Sequence, residues 1–94
     1  MKRSEKKLVE LFLRNGCLRY PSDERQEQDG HQKYKKGYEI RWTAMNAQEY
    51  ELIAALLSET GFVAGKPYPK RKRTILPVYG KEALLRFQAL LAAY

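Results

Sequence analysis

Leu8-Val9-Glu10-Leu11-Phe12-Leu13-Arg14-Asn15-Gly16, followed at once by Cys17-Leu18-Arg19-Tyr20, is the stretch whose reading decides the fold. Its first part holds good helix formers and neither Pro nor Gly, which predicts a helix. Asn15-Gly16 tolerates positive φ and is expected to close that helix. Leu18 and Tyr20 then alternate with Arg19, the period of a short half-buried strand. Leu8, Leu11 and Phe12 share one helical face, while Val9 and Leu13 form a second. A helix apolar on two faces is normally covered on two sides. In so short a chain the expected second cover is another subunit, which makes Leu8, Val9, Phe12 and Leu13 the expected dimer interface.

Working outward, Ser4 is placed to cap this helix from about residue 5, behind the basic residues Lys2 and Arg3. Pro21-Ser22-Asp23 ends the first strand. Residues 21–36 are almost wholly polar, acidic at first (Asp23, Glu24, Glu27, Asp29) and then basic (Lys33, Lys35, Lys36), with a turn signal at Asp29-Gly30. After Gly37, Tyr38, Ile40 and Trp42 point one way and Glu39, Arg41 and Thr43 the other, a clear strand. Asn46 with Glu49 reads as a helix start of capping-box type. Tyr50, Ile53 and Leu57, with Leu52 and Leu56 beside them, are the buried stripe of a helix that runs to about Thr60 and ends at Gly61. Residues 62–69 suggest a third strand, which Gly65, Pro67 and Pro69 confine to an edge. Lys70-Arg71-Lys72-Arg73 is a charged turn, and Thr74 to Tyr79 a fourth strand. The last helix follows Gly80, with Leu84, Phe87 and Leu91 inward. The expected fold is therefore α+β, α-β-β-α-β-β-α, with a four-stranded antiparallel sheet and helices packed on one face. It forms one domain over 1–94.

Composition narrows the chemistry. Eighteen Lys and Arg against 11 Asp and Glu give a net charge of +7. Such an excess favours a polyanionic partner, nucleic acid before membrane. The plainer explanation is a solubility charge on a protein-binding module. There is no run of eighteen apolar residues and no signal-peptide pattern, so a cytoplasmic location is expected. With one cysteine, Cys17, and one histidine, His31, the chain has no disulfide framework, no thiolate metal cluster and little scope for a triad. It also lacks a Gly-rich phosphate loop, GxSxG and HExxH. No cofactor is expected. Cys17 reads as a small packing residue, Asp23-Glu24 as a solvated turn and Trp42 as core. Tyr34 and Tyr38, among Lys33, Lys35 and Lys36, offer a weaker stacking surface for bases.

Leu8, Leu11, Asn15 and Gly16, the Cys17 that opens the strand, Leu56-Leu57 before Gly61-Phe62, and Tyr79-Gly80-Lys81-Glu82 before Leu84-Leu85 and Phe87 form a series. With the element order, that series resembles one half of a LAGLIDADG homing-endonuclease fold over nearly the whole chain. The resemblance implies a twisted antiparallel sheet whose outer face lies in the DNA major groove. On this chain that face would present Arg19, Arg41, Thr43, Lys66, Tyr68, Lys70, Arg71, Lys72 and Arg73, together with Glu39 and Ile75. It also implies a two-fold pair of chains on a pseudo-palindromic site. The departures concern chemistry. The family's metal-binding acid is Asn15 here, and an amide oxygen brings no charge to a divalent cation. The earlier acid of the motif is Leu13. The small helix-contact residues are Val9 and Glu10, and Glu10 then needs solvent or a basic partner. Pro77, inside the fourth strand, is expected to lose a ladder bond.

The expected function is binding of double-stranded DNA, as a homodimer, without cleavage. One alternative is a protein-binding module, such as a phage-type inhibitor or accessory factor that occupies a nucleic-acid channel. A second is a residually active nuclease taking metal ligands from Glu10 or Asp23.

Overall fold

The structure, a computed structural model, describes residues 2–21 and 37–94. Helix α1 (Arg3–Asn15) leads to strands β1 (Cys17–Arg19) and β2 (Glu39–Ala44), then to helix α2 (Ala47–Thr60). Strands β3 (Tyr68–Lys70) and β4 (Arg73–Tyr79) and helix α3 (Lys81–Ala93) complete it. The order is α-β-β-α-β-β-α, as expected, and the strands form one antiparallel sheet in the order β1-β2-β4-β3. The expected polar loop, with its Asp29-Gly30 turn, Asp23, His31 and Tyr34, lies outside the described residues apart from Pro21.

Alternation along β2 sorts the sheet into two faces. Ile40, Trp42 and Ala44 are buried under the helices, opposite Val78, Leu76 and Thr74 of β4. Trp42 is the centre of this side. Its ring meets Phe87 and Phe12 edge-on, with centroids 5.0 and 6.0 Å away. Its Nε1–H donates to the Leu8 carbonyl at 3.1 Å, so the indole is buried with its polar group satisfied. The other face carries Cys17 and Arg19 of β1, Glu39, Arg41 and Thr43 of β2, Tyr68 and Lys70 of β3, and Arg73, Ile75 and Pro77 of β4. No helix covers it among the described residues.

The reading of α1 as a subunit interface needs correction. Leu8, Val9, Leu11 and Phe12 all belong to the core of the one chain, Val9 with no exposed surface. Helix α1 lies against α2 and α3 as well as β2, so its second apolar face is covered from within. Periodicity counted the faces of the helix but not its neighbours. Of the four expected interface residues only Leu13 stays out, 60% exposed. Glu10 is also exposed, 3.9 Å from Lys7 and accepting from the Tyr94 hydroxyl.

Local signals at the ends of elements came out unevenly. Helix α1 starts at Arg3, before Ser4, whose hydroxyl instead donates to Glu59 at 2.6 Å and ties α1 to the end of α2. At α2 the capping reading holds in part. The Asn46 side chain accepts from the Glu49 N–H at 2.9 Å, but the Glu49 carboxylate reaches the Met45 N–H, one residue earlier than a capping box requires. Gly61 ends α2 at φ +84, the left-handed region that favours glycine.

Gly16 closes α1 for a different reason from the one expected. Its φ is −92, open to any residue, but a Cβ there would stand 2.5 Å from the Phe12 ring and 2.6 Å from the Arg41 carbonyl. The glycine is required for close approach, not for a turn. Pro77 also sits more easily than expected. Its carbonyl accepts from Gly65 N–H at 2.7 Å, so its backbone polar side faces away from β2. The N–H it lacks would point to that same flank, past the end of β3 pairing at Tyr68–Ile75. The β2–β4 ladder therefore loses nothing.

Candidate nucleic-acid interface

The β3–β4 hairpin decides where the charge goes. Lys70 pairs with Arg73, which leaves Arg71-Lys72 as a two-residue turn. Arg71 has φ +62, a conformation that hairpins usually give to Gly, Asn or Asp. A long side chain held there costs about 1–3 kcal/mol, and such strain collects at functional sites.

Under this turn the outer face forms a concavity of about 650 Å³. Arg41, Thr43 and Ile75 line it from the sheet, residues 70–73 from the hairpin, and Asn15 and Cys17 from the exit of α1. Five of these side chains are cationic and none is acidic. Arg41 lies at the inner end of a short network. Its Nε is 3.1 Å from Glu39 Oε2, and its guanidinium lies 5.9 Å from the Tyr68 ring centre. The Tyr68 hydroxyl makes a long, 3.5 Å hydrogen bond to the same Glu39 oxygen. Burial opposes the charge on Arg41, which is only 19% exposed, but the Glu39 carboxylate outweighs it and raises the guanidinium pKa. Burial, then the Glu39 charge, push the Tyr68 hydroxyl up as well. Arg41 Nε is near Glu39 but not aligned with it, and counts as a buried donor without a hydrogen-bond partner.

Asn15 sits at the neighbouring edge. Its amide N–H donates to Met45 Sδ at 3.5 Å. A thioether only accepts, so the amide nitrogen is turned toward the sulfur. The amide oxygen is buried and has no partner among the described residues. The ring of cations around it is unsuited to a divalent metal, which a neutral amide oxygen would not hold against Arg41 and residues 70–73. Among the described residues no three His, Cys, Asp or Glu side chains are grouped to bind a metal ion. Glu10 is engaged with Tyr94, and Asp23 lies outside the described residues.

The structure thus brings together Arg41, Thr43, Lys70, Arg71, Lys72 and Arg73. Arg19 shares the face, on β1 opposite Glu39. Tyr68 shares it too, but serves Glu39 and Arg41. Lys66 is exposed ahead of β3 and does not line the concavity. Asn15, read in the sequence as a lost metal ligand, and Cys17, read as a packing residue, both belong to the lining. The exposure of Cys17 was legible: if Leu18 faces inward, its two neighbours on a strand face outward. No helix among the described residues is long and apolar enough to cross a membrane. No family model, no curated protein and no solved structure matches the chain.

Proposed function

We propose that the chain binds double-stranded DNA through the open face of its sheet and does not cut it. The observation that carries this reading is the concavity: five cations and no acid line it, with an arginine kept at a strained turn. Lysines there neutralise phosphates, whereas Arg41, mid-strand on the floor, is placed for a base edge. Absence of cleavage follows from Asn15 among cations, which offers no carboxylate for a metal that would activate water. A two-fold pair would lengthen the contact along the groove. On α1 only Leu13 remains to serve it, so Leu13→Glu should convert any dimer to monomer without unfolding, as seen by light scattering.

The test of DNA binding is the salt dependence of duplex affinity. Each phosphate contact adds about 0.9 to the slope of log affinity against log salt. Lys70→Ala with Lys72→Ala should weaken binding to all duplexes alike and flatten that slope by roughly 1.8. Arg41→Ala should instead relax preference at one or two positions, by about 1–3 kcal/mol each. An unchanged slope in the lysine variant would remove the concavity from the interface.

A further inference from the structure

We propose that Arg41 reads guanine from the floor of the concavity, and that Glu39 is the positioning residue that aims it. The inference rests on the duplex-binding reading and deepens it. Glu39 is the unexpected group here: a carboxylate only 5% exposed, on the face that would meet a polyanion. It does not line the concavity, whereas Arg41 does. Its Oε2 lies 3.1 Å from Arg41 Nε and accepts the long hydrogen bond from the Tyr68 hydroxyl. The carboxylate therefore holds one edge of the guanidinium. Of the guanidinium nitrogens only Nε is buried without a hydrogen-bond partner. Nη1 and Nη2 make no hydrogen bond among the described residues, so the accessible 19% of this side chain includes them.

Two parallel donors fit two adjacent acceptors. In the major groove guanine offers them, O6 beside N7. Adenine sets its N6 amine next to N7, cytosine shows an amine, and thymine one acceptor beside a methyl group. A phosphate also presents two acceptors, and charge decides between it and the base. Arg41 and Glu39 together carry no net charge. Most of the attraction for a phosphate is thereby cancelled, while the directed N–H groups remain. Among the described residues no carboxylate pairs with Lys70, Arg71, Lys72 or Arg73, which keep that attraction. The turn therefore holds the backbone, and the floor reads the base.

The experiment is selection from duplexes with a randomised central stretch. It uses the intact chain, Arg41→Lys and Glu39→Gln, followed by salt titrations of the enriched duplex and a random one, with thermal melts as the folding control. The intact chain should enrich guanine at one position. Arg41→Lys keeps the charge and loses the fork, so its discrimination there should fall roughly 5-fold or more, corresponding to about 1 kcal/mol. Glu39→Gln frees the charge and loosens the aim. Its discrimination should fall while binding to random duplex strengthens at low salt, with a slope steeper by about 0.9. On the intact chain, inosine at that position keeps O6 and N7 and should bind as guanine does. There 7-deazaguanine, which lacks N7, should bind roughly 5-fold more weakly. This arm needs no variant and decides the matter if Glu39→Gln fails to fold. Another base at the Arg41-dependent position, or equal binding of guanine and 7-deazaguanine, overturns the subsite. If Glu39→Gln weakens all duplexes alike and keeps the preference, its positioning role is overturned. If the intact chain binds duplex with a steep salt slope but selects nothing, the subsite fails and DNA binding stands. If it binds no duplex, both fail.

Discussion

The two faces of the sheet are made by alternate residues of the same strands, yet they are finished differently. Under the helices, Trp42 is enclosed by aromatic rings and its one polar hydrogen is bonded to the Leu8 carbonyl. On the open side, Asn15 Oδ1 and Arg41 Nε are buried without hydrogen-bond partners among the described residues, Arg41 Nε lying 3.1 Å from Glu39 Oε2, and Arg71 is held at φ +62. Buried polar atoms are normally satisfied and turns normally use residues that fit them. One face is complete in the isolated chain. The other leaves polar atoms without hydrogen-bond partners among the described residues. The difference teaches where to look for function: at the places where the chain accepts a local loss that its own stability does not require.

Three substitutions sharpen that contrast, in order of expected effect. Trp42→Ala should destabilise by about 3–5 kcal/mol in denaturant unfolding, since it empties the centre of the helix-covered side. Duplex binding should then fall only to the extent that the protein unfolds. A variant that melts normally but fails to bind would put Trp42 in the interface and break the division between faces. Arg71→Gly should move the two properties in opposite directions. Relief of the left-handed strain should add about 1 kcal/mol of stability, while loss of the charge flattens the salt slope by about 0.9. If stability falls as well, Arg71 serves the hairpin rather than a ligand.

The smallest effect is expected at Glu49, in the helix layer. Its carboxylate accepts from the Met45 N–H and then from Arg14, at 2.9 and 2.7 Å, and these hold its pKa below the usual carboxylate value. A lowered folded pKa means stability that is present above the ordinary carboxylate pKa and lost as pH falls through the folded value. The Arg14 pair is partly exposed, so Glu49→Gln should remove less than about 1 kcal/mol at neutral pH and flatten the acid limb of the melting curve. Duplex affinity at neutral pH should be unchanged.

Much of the fold was legible from short-range chemistry. The alternation from Tyr38 to Thr43 separates the faces, and Asn46, Glu49 and Gly61 bound α2 because capping and left-handed termination act over a few residues. What escaped was set by contacts distant in sequence. Val9 appeared to need a second subunit because nothing local shows that α1 packs against α2 and α3 as well as β2. Gly16 was read as a turn glycine, whereas its neighbour is the Arg41 carbonyl of another strand. Pro77 looked disruptive until the direction of its carbonyl, toward Gly65, was known. The basic turn of the candidate site could be read directly from residues 70–73. Its floor could not, because Asn15 and Arg41 come together only when the end of α1 is set against β2.

Cys17 allows the open face to be tested in the unaltered protein. It is the only cysteine in the chain, it is exposed, and it lines the concavity. The measurement is the rate of its alkylation by a small neutral maleimide, with and without saturating duplex, while binding is followed by fluorescence anisotropy. Duplex seated on the open face should slow the reaction several-fold at low salt, and the protection should disappear at the salt concentration that releases the DNA. A protein that binds duplex by anisotropy while Cys17 reacts at its free rate would place the DNA elsewhere and contradict the assignment of this face.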